Sequence, residues 1–266
     1  MASLWIFSTC TLSLSAMADP DNWLPPDSRI DVRSSPEEWL SVDGPLTGNA
    51  LLGKLLFNSP SLFGEKAVRM GLSCNSCHPS GHVNTGFFMS GLSDVPGTID
   101  VTNKFWRSGT EDGLFNPLAI PSLRGVNKTA PYGTLTVLPT LEAFTTHVIE
   151  DEFAGPHVQS YELSALVAYM SLFQSTPKAV MQTYVEANTS SYLSLLLGPL
   201  EKDNADKTVR IIHLIREELG RRIKLSPATR GSYKDLLQTL KTIQRNARTS
   251  PAVAQQTLRE HLLSAD

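Results

Sequence analysis

Five consecutive residues constrain this chain more than any other stretch: Cys74, Asn75, Ser76, Cys77 and His78, the pattern C-x-x-C-H. On one helical turn, positions i, i+3 and i+4 share a face, so two thiols and an imidazole project together. The two sulfurs can then add to the two vinyl groups of a porphyrin while the adjacent ring reaches its iron. The pattern is therefore read as the attachment site of one covalently bound haem c, with Cys74 and Cys77 as the thioether residues and His78 as an axial ligand.

Two other chemistries use close cysteines. A thioredoxin-like redox pair follows a hydrophobic strand, and Arg69, Met70, Gly71, Leu72 and Ser73 do not make one. Structural zinc takes about four ligands at close spacing. Here only His82 lies nearby, on a turn of Pro79, Ser80 and Gly81. The third cysteine of the chain is Cys10, so no disulfide framework competes for the pair.

Residues 1–18 carry no charged side chain and end in Ala16, Met17 and Ala18, the small-x-small pattern of a signal-peptidase site. They are expected to be a signal peptide that leaves with Cys10, which makes the product periplasmic or otherwise exported. The first arginine is Arg29, so the usual basic start is missing, and a short buried helix is the alternative. The formal net charge of -3 selects no partner and does not suggest nucleic acid. No internal apolar run reaches the roughly 18 residues that a membrane span requires, so no transmembrane segment is expected. Charge is unevenly spread: 9 basic against 17 acidic residues up to Ser175, then 14 against 9.

The expected fold is mostly α, with a haem domain over 19–175 and a helical C-terminal region over 176–266. Residues 48–57 read as an amphipathic helix with Thr47 at its N-cap, and 162–173 as a second with Leu163, Leu166, Val167, Met170 and Phe173 in one stripe. Between them the chain is rich in Gly, Pro, Ser and Asn, and a porphyrin at its centre would organise it. Beyond 176, residues 208–224 place Ile211, Ile212, Ile215, Leu219 and Ile223 on one face. Tyr233, Leu236, Leu237, Leu240 and Ile243 do the same further on. Ser250 followed by Pro251 opens a last helix with Val253, Leu258 and Leu262. Breaks are expected at Gly198–Pro199, 225–227 and 246–249. This region reads as a docking or scaffold module, with a continuation of the haem domain as the rival.

An N-terminal helix, C-x-x-C-H, a loop and a closing helix together resemble the cytochrome c fold. That resemblance implies a close crossing of the two helices, supplied here by Gly53 and Phe57 against Leu166 and Tyr169. More narrowly, Leu52 to Phe57 (LGKLLF), Ile120 to Val126 (IPSLRGV), Thr129 to Gly133 (TAPYG) and Thr140 to Phe144 (TLEAF) resemble one half of the bacterial di-haem cytochrome c peroxidase and MauG-like family. Members of that family carry two C-x-x-C-H motifs, reducing peroxide at one haem while the other relays electrons. This chain carries one motif, so a single-haem electron carrier is expected. The alternative is a peroxidase-like or MauG-like oxidoreductase, completed by a second haem subunit or using an open iron.

In the electron-transferring half of those peroxidases a methionine soon after the T-L-E segment ligates the iron. No methionine stands there in this chain, but His147 falls within one residue of the place, which implies ligation by His78 and His147. Met89 and an open sixth position remain the other options. Arg124 is expected to pair with a haem propionate, because a guanidinium matches a carboxylate with two parallel bonds, or else to be a plain surface arginine. Trp106 is expected in the core and His157 at the surface. An unidentified redox partner protein is implied, with the acidic front favouring a basic partner face and the C-terminal helices as a further docking element.

Overall fold

The computed structural model describes residues 39–42, 44–107, 111–176 and 187–264; the expected signal segment 1–18, with Cys10, lies outside them. The architecture is mostly helical, as expected, with ten α-helices among the described residues and a single two-stranded ladder. No helix among the described residues is long and apolar enough to cross a membrane.

Helix α1 (Gly48–Phe57) carries leucines at 51, 52, 55 and 56, a spacing that puts one apolar face on the core. Thr47 stands at the N-cap with extended backbone, although its hydroxyl makes no capping bond. Helix α5 (Ser160–Met170) opens with a reciprocal capping box between Gln159 and Glu162. The two helices cross where Gly53 meets α5: a Cβ there would overlap the Ala165 carbonyl and stand 2.7 Å from Tyr169 Cβ. Glycine is required because two backbones approach closely. Around the crossing, Phe57 packs edge-on against Tyr169 at 5.4 Å and Phe173 at 5.6 Å.

That crossing shifts the buried stripe of α5. Its inward residues are Glu162, Ala165, Leu166, Tyr169 and Met170, while Leu163 and Val167 are half-buried. A small residue must face Gly53, so Ala165 takes the centre and rotates the bulkier side chains off it. Before α1, Leu40 bridges Phe173, and Gln174 N donates to Trp39 O at 2.7 Å, so the entering segment runs beside the exit of α5.

Between the crossing helices lie α2 (Gly64–Met70), the one-turn α3 (Cys74–Cys77), strands β1 (Thr98–Ile99) and β2 (Leu118–Ala119), and α4 (Leu141–His147). β1 and β2 pair antiparallel, with Thr98 opposite Ala119. Thr140 caps α4 by accepting from Ala143 N at 3.1 Å. A wide π-turn over 148–152 then extends α4, closed by Phe153 N donating to Val148 O.

The C-terminal region holds α6 (Thr189–Ser194), α7 (Leu197–Glu201), α8 (Ala205–Leu225), α9 (Lys234–Asn246) and α10 (Pro251–Ser264). Asn188 and Asn204 cap α6 and α8 through their side chains. Three expectations need correction. Gly198 and Pro199 do not break the chain: they sit in the first turn of α7, where a proline removes no intrahelical bond. On α10, Val253 faces solvent and the buried residues are Ala254 and Leu258, one position round the helix. On α8, Ile223 is only half-buried, while Leu214 and Glu218 are buried.

The region is not held apart from the front. Buried side chains form one cluster that runs from Leu56, Leu166 and Phe173 through Ile211, Ile212 and Leu240. A polar seam accompanies it: Arg210 on α8 donates from Nε to Glu162 Oε1 at 2.7 Å and from a terminal nitrogen to Ser61 Oγ at 2.8 Å. Ser59 donates to Glu217, and Lys207 Nζ stands 4.2 Å from the centre of the Tyr161 ring.

Candidate haem-attachment site

The turn at α3 owes its shape to short-range bonds that the sequence supplies. Ser73 is the N-cap of a capping box with Ser76, whose Oγ accepts from Ser73 N at 3.0 Å. At the other end His78 N donates to Cys74 O at 2.9 Å, closing one revolution. Cys74 and Cys77 are both free and hydrophobically surrounded, the first half-buried and the second buried. Burial pushes the Cys74 thiol up to about 12, offset slightly by a backbone bond. Burial and then the neighbouring Cys74 push Cys77 up as well. A thiol–disulfide redox pair needs a lowered thiol pKa, so these raised values speak against that chemistry.

His78 is positioned by a residue 43 places away. Its Nδ1 lies 2.9 Å from the carbonyl of Pro121. A carbonyl can only accept, so Nδ1 carries the hydrogen and the Nε2 lone pair is left for a ligand. Metal-bound histidines characteristically donate their second ring nitrogen in this way. Burial lowers the ring's pKa to about 4, against a smaller opposing effect of the Pro121 bond, so the imidazole is neutral near pH 7 as ligation requires.

Pro121 reaches His78 because β2 carries the chain to it. Ile120 N donates to Gly97 O at 2.9 Å and Leu123 N to Gly81 O at 3.0 Å, so the segment after β2 lies along the loop that follows His78. Arg124 stands at its end. Its guanidinium carbon lies 4.4 Å over the Trp39 ring, which in turn meets His82 edge-on at 5.0 Å. Arg124 Nε is buried and has no hydrogen-bond partner among the described residues. A buried guanidinium nitrogen without an acceptor fits a carboxylate-bearing group such as a haem propionate.

His147 ends α4, and the π-turn behind it brings two carboxylates to its ring. Nδ1 lies 2.9 Å from Asp151 Oδ2, while Nε2 is 3.7 Å from Glu152 Oε1, beyond hydrogen-bond length. Like His78, this ring is held through Nδ1. Burial raises the Glu152 pKa, against the opposing effect of His147 and with Asp151 adding to the rise. His147, Asp151 and Glu152 line a cleft of about 300 Å³ together with Thr102, Asn103 and Trp106.

The structure brings His78 to Pro121 and His147 to Asp151 and Glu152; no hydrogen bond or ring contact among the described residues joins the two histidines. Met89 is buried in the core cluster. Trp106 is core too, donating from Nε1 to Asp100 O at 3.0 Å, and His157 is a surface residue beside Glu150. Among the described residues no group of three or more His, Cys, Asp or Glu side chains could hold a metal ion by itself.

Two contributors escaped sequence reasoning. The Pro121 carbonyl carries no side-chain signal, and Asn84, whose Nδ2 donates to Ser76 O at 2.8 Å, is one small polar residue in a polar loop. No family model, curated protein or solved structure matches the chain.

Proposed function

We propose that this chain is a single-haem c-type cytochrome that carries electrons, resembling one half of the di-haem cytochrome c peroxidase and MauG-like proteins. The observation that carries the reading is the His78 ring fixed on the Pro121 carbonyl, with Nε2 left free beside the half-buried Cys74 and buried Cys77 thiols on the same turn. Cys74 and Cys77 would hold the group by thioether bonds and His78 would ligate its iron. When bound, a haem c supplies a reversible Fe(II)/Fe(III) couple. The protein's part is to orient the ligand ring, exclude water and set the surrounding charge. His147, held by Asp151 through Nδ1, is the proposed second axial ligand; Arg124, with its unpartnered Nε, is the proposed propionate partner. Export to the periplasm and an unidentified redox partner protein belong to the same proposal.

A second reading has its own observation. His147 and Glu152 line a cleft with room for a small molecule, which suits an oxidoreductase of the peroxidase-like or MauG-like kind with His147 as an acid–base group.

The test is maturation of the full chain in a host that attaches haem during export. A pigment that survives acid acetone, one per chain, is expected, and Cys74→Ala with Cys77→Ala should yield colourless protein. Colourless wild type would sink the reading. Spectra then separate the two forms of it. A low-spin ferric spectrum that turns high-spin in His147→Ala supports the carrier. A high-spin wild type that turns over peroxide supports the oxidoreductase.

A further inference from the structure

We propose that Asn84 is a positioning residue that sets the electrostatics at His78 by capping the carbonyl end of the haem-attachment turn. The inference rests on the reading of residues 74–78 as that turn.

A helix of one revolution leaves most of its carbonyls without intrahelical donors, and the carbonyl end of any helix carries partial negative charge. In α3 the Cys74 carbonyl is taken by His78 N, and the His78 carbonyl by Gly81 N at 2.9 Å. The carbonyls of Ser76 and Cys77, the two that immediately precede the ligand residue, are both taken by Asn84. Its side-chain Nδ2 donates to Ser76 O at 2.8 Å and its backbone N to Cys77 O at 2.9 Å. Oδ1 accepts from Gly86 N at 3.0 Å, which fixes the amide the right way round, because Ser76 offers an acceptor and Gly86 a donor. Asn84 is only 2% exposed, so water does not substitute for these bonds.

The consequence is electrostatic as well as mechanical. Removing Nδ2 leaves a buried carbonyl dipole unopposed next to His78, and negative potential favours the more positive oxidised iron. Hydrogen bonding around the ligands of a metal tunes its potential in this manner. Asn84 should therefore keep the potential higher than the bare turn would. Its backbone bond to Cys77 survives substitution, so the side chain can be tested alone.

The experiment matures the full chain as wild type, Asn84→Ala and Asn84→Asp, and reads covalent haem per chain, redox midpoint and helix content by circular dichroism. Asn58→Ala is the control, since Asn58 also donates from Nδ2 to a helix carbonyl, that of Lys54 at 3.0 Å, but on α1. Asn84→Ala is expected to shift the midpoint down, and Asn84→Asp further down, because an acceptor oxygen replaces the donor. Asn58→Ala should leave the midpoint in place. Loss of haem attachment in an Asn84→Asp chain of wild-type helix content also supports the role, since it shows the thiols displaced. An Asn84→Asp chain that unfolds, or both Asn84 variants at wild-type haem content and midpoint, overturns it. A wild type without haem overturns the haem reading itself, a result distinct from either.

Discussion

In the front of the molecule, the described residues of 39–176, much of the described backbone between 79 and 140 is irregular and is held by individual polar side chains. Asn84 pins the turn of Cys74 to Cys77, Ser93 Oγ accepts from Met89 N and donates to Thr98 O, and the buried Asp100 accepts from Thr102 N. In the back, residues 187–264, long helices are held by apolar stripes: Ile211, Ile212, Ile215 and Leu219 on α8 against Leu236, Leu240 and Ile243 on α9. The difference teaches where each kind of substitution should hurt. A stripe spreads its stabilisation over many methyl groups, whereas a pinned loop depends on a few atoms that nothing nearby replaces.

The back also has a buried charged group, and it gives the largest expected effect. Glu218 on α8 is buried, with Arg221 donating to both of its oxygens at 2.8 Å and Arg222 Nε to Oε1 at 2.7 Å. Burial alone would raise its pKa, but the two guanidinium groups win and hold it at about 2. Breaking such a buried group from one side costs about 3–5 kcal/mol, so Glu218→Gln should destabilise the chain by that order in urea unfolding. The sign of the pH dependence follows from the depressed value. The Glu218 contribution is complete above the usual glutamate value of 4.5 and is lost as pH falls toward about 2. Glu218→Gln should remove that part of the acid slope; an unchanged slope would mean that the back needs no polar pin.

The next effects set front against back directly. Ile212→Ala removes a fully buried side chain from the α8 stripe and should cost about 2–4 kcal/mol. Gly53→Ala overlaps the Ala165 backbone at the α1–α5 crossing and should cost about 1–3 kcal/mol by forcing the helices apart. Trp39 and Trp106 lie in the front and the back has no tryptophan, so fluorescence does not report the back while circular dichroism reports both. Because the buried cluster is continuous, the two signals should still move together in each variant. Separate transitions would show that the regions unfold independently, and the seam at Arg210 and Glu162 would then be a contact between domains.

Which parts were readable in advance follows the same division. The ends of α1 were legible at 48 and 57, because a helix reads out through local spacing of its leucines. Much of the cores of α8 and α9 was legible for the same reason, while the meeting of Gly53 with Tyr169 was implied by the resemblance to the cytochrome c fold and not by spacing. The stripe of α5 was right at Leu166, Met170 and Phe173, whereas Leu163 and Val167 are only half-buried, because which face turns inward is decided by the partner helix and not by the sequence of α5 alone. Pro199 was misread because a proline breaks a helix interior and tolerates a first turn, and the sequence does not say which it occupies. At the site, Cys74, Cys77 and His78 were legible as a motif. The Pro121 carbonyl and the Asn84 amide were not, because bonds spanning 43 and 8 residues between backbone and side chain leave no periodic trace.

The smallest expected effect tests the stripe argument at its edge. Val253 and Ala254 are neighbours on α10, yet Val253 is 48% exposed and Ala254 is fully buried. Hydrophobicity alone would rank the valine as the more important of the two, as the sequence reading did. Burial ranks them the other way. Val253→Ser removes little area from the core and should change unfolding free energy by no more than about 0.5 kcal/mol. Ala254→Val adds two methyl groups where no space remains and should cost about 1 kcal/mol or more, through overpacking against the helices that α10 covers. Chemical denaturation of the two variants side by side reads the order. If Val253→Ser proves the more damaging, α10 is rotated about one position from its place here, and the back is not the stripe-held bundle that the comparison with the front assumes.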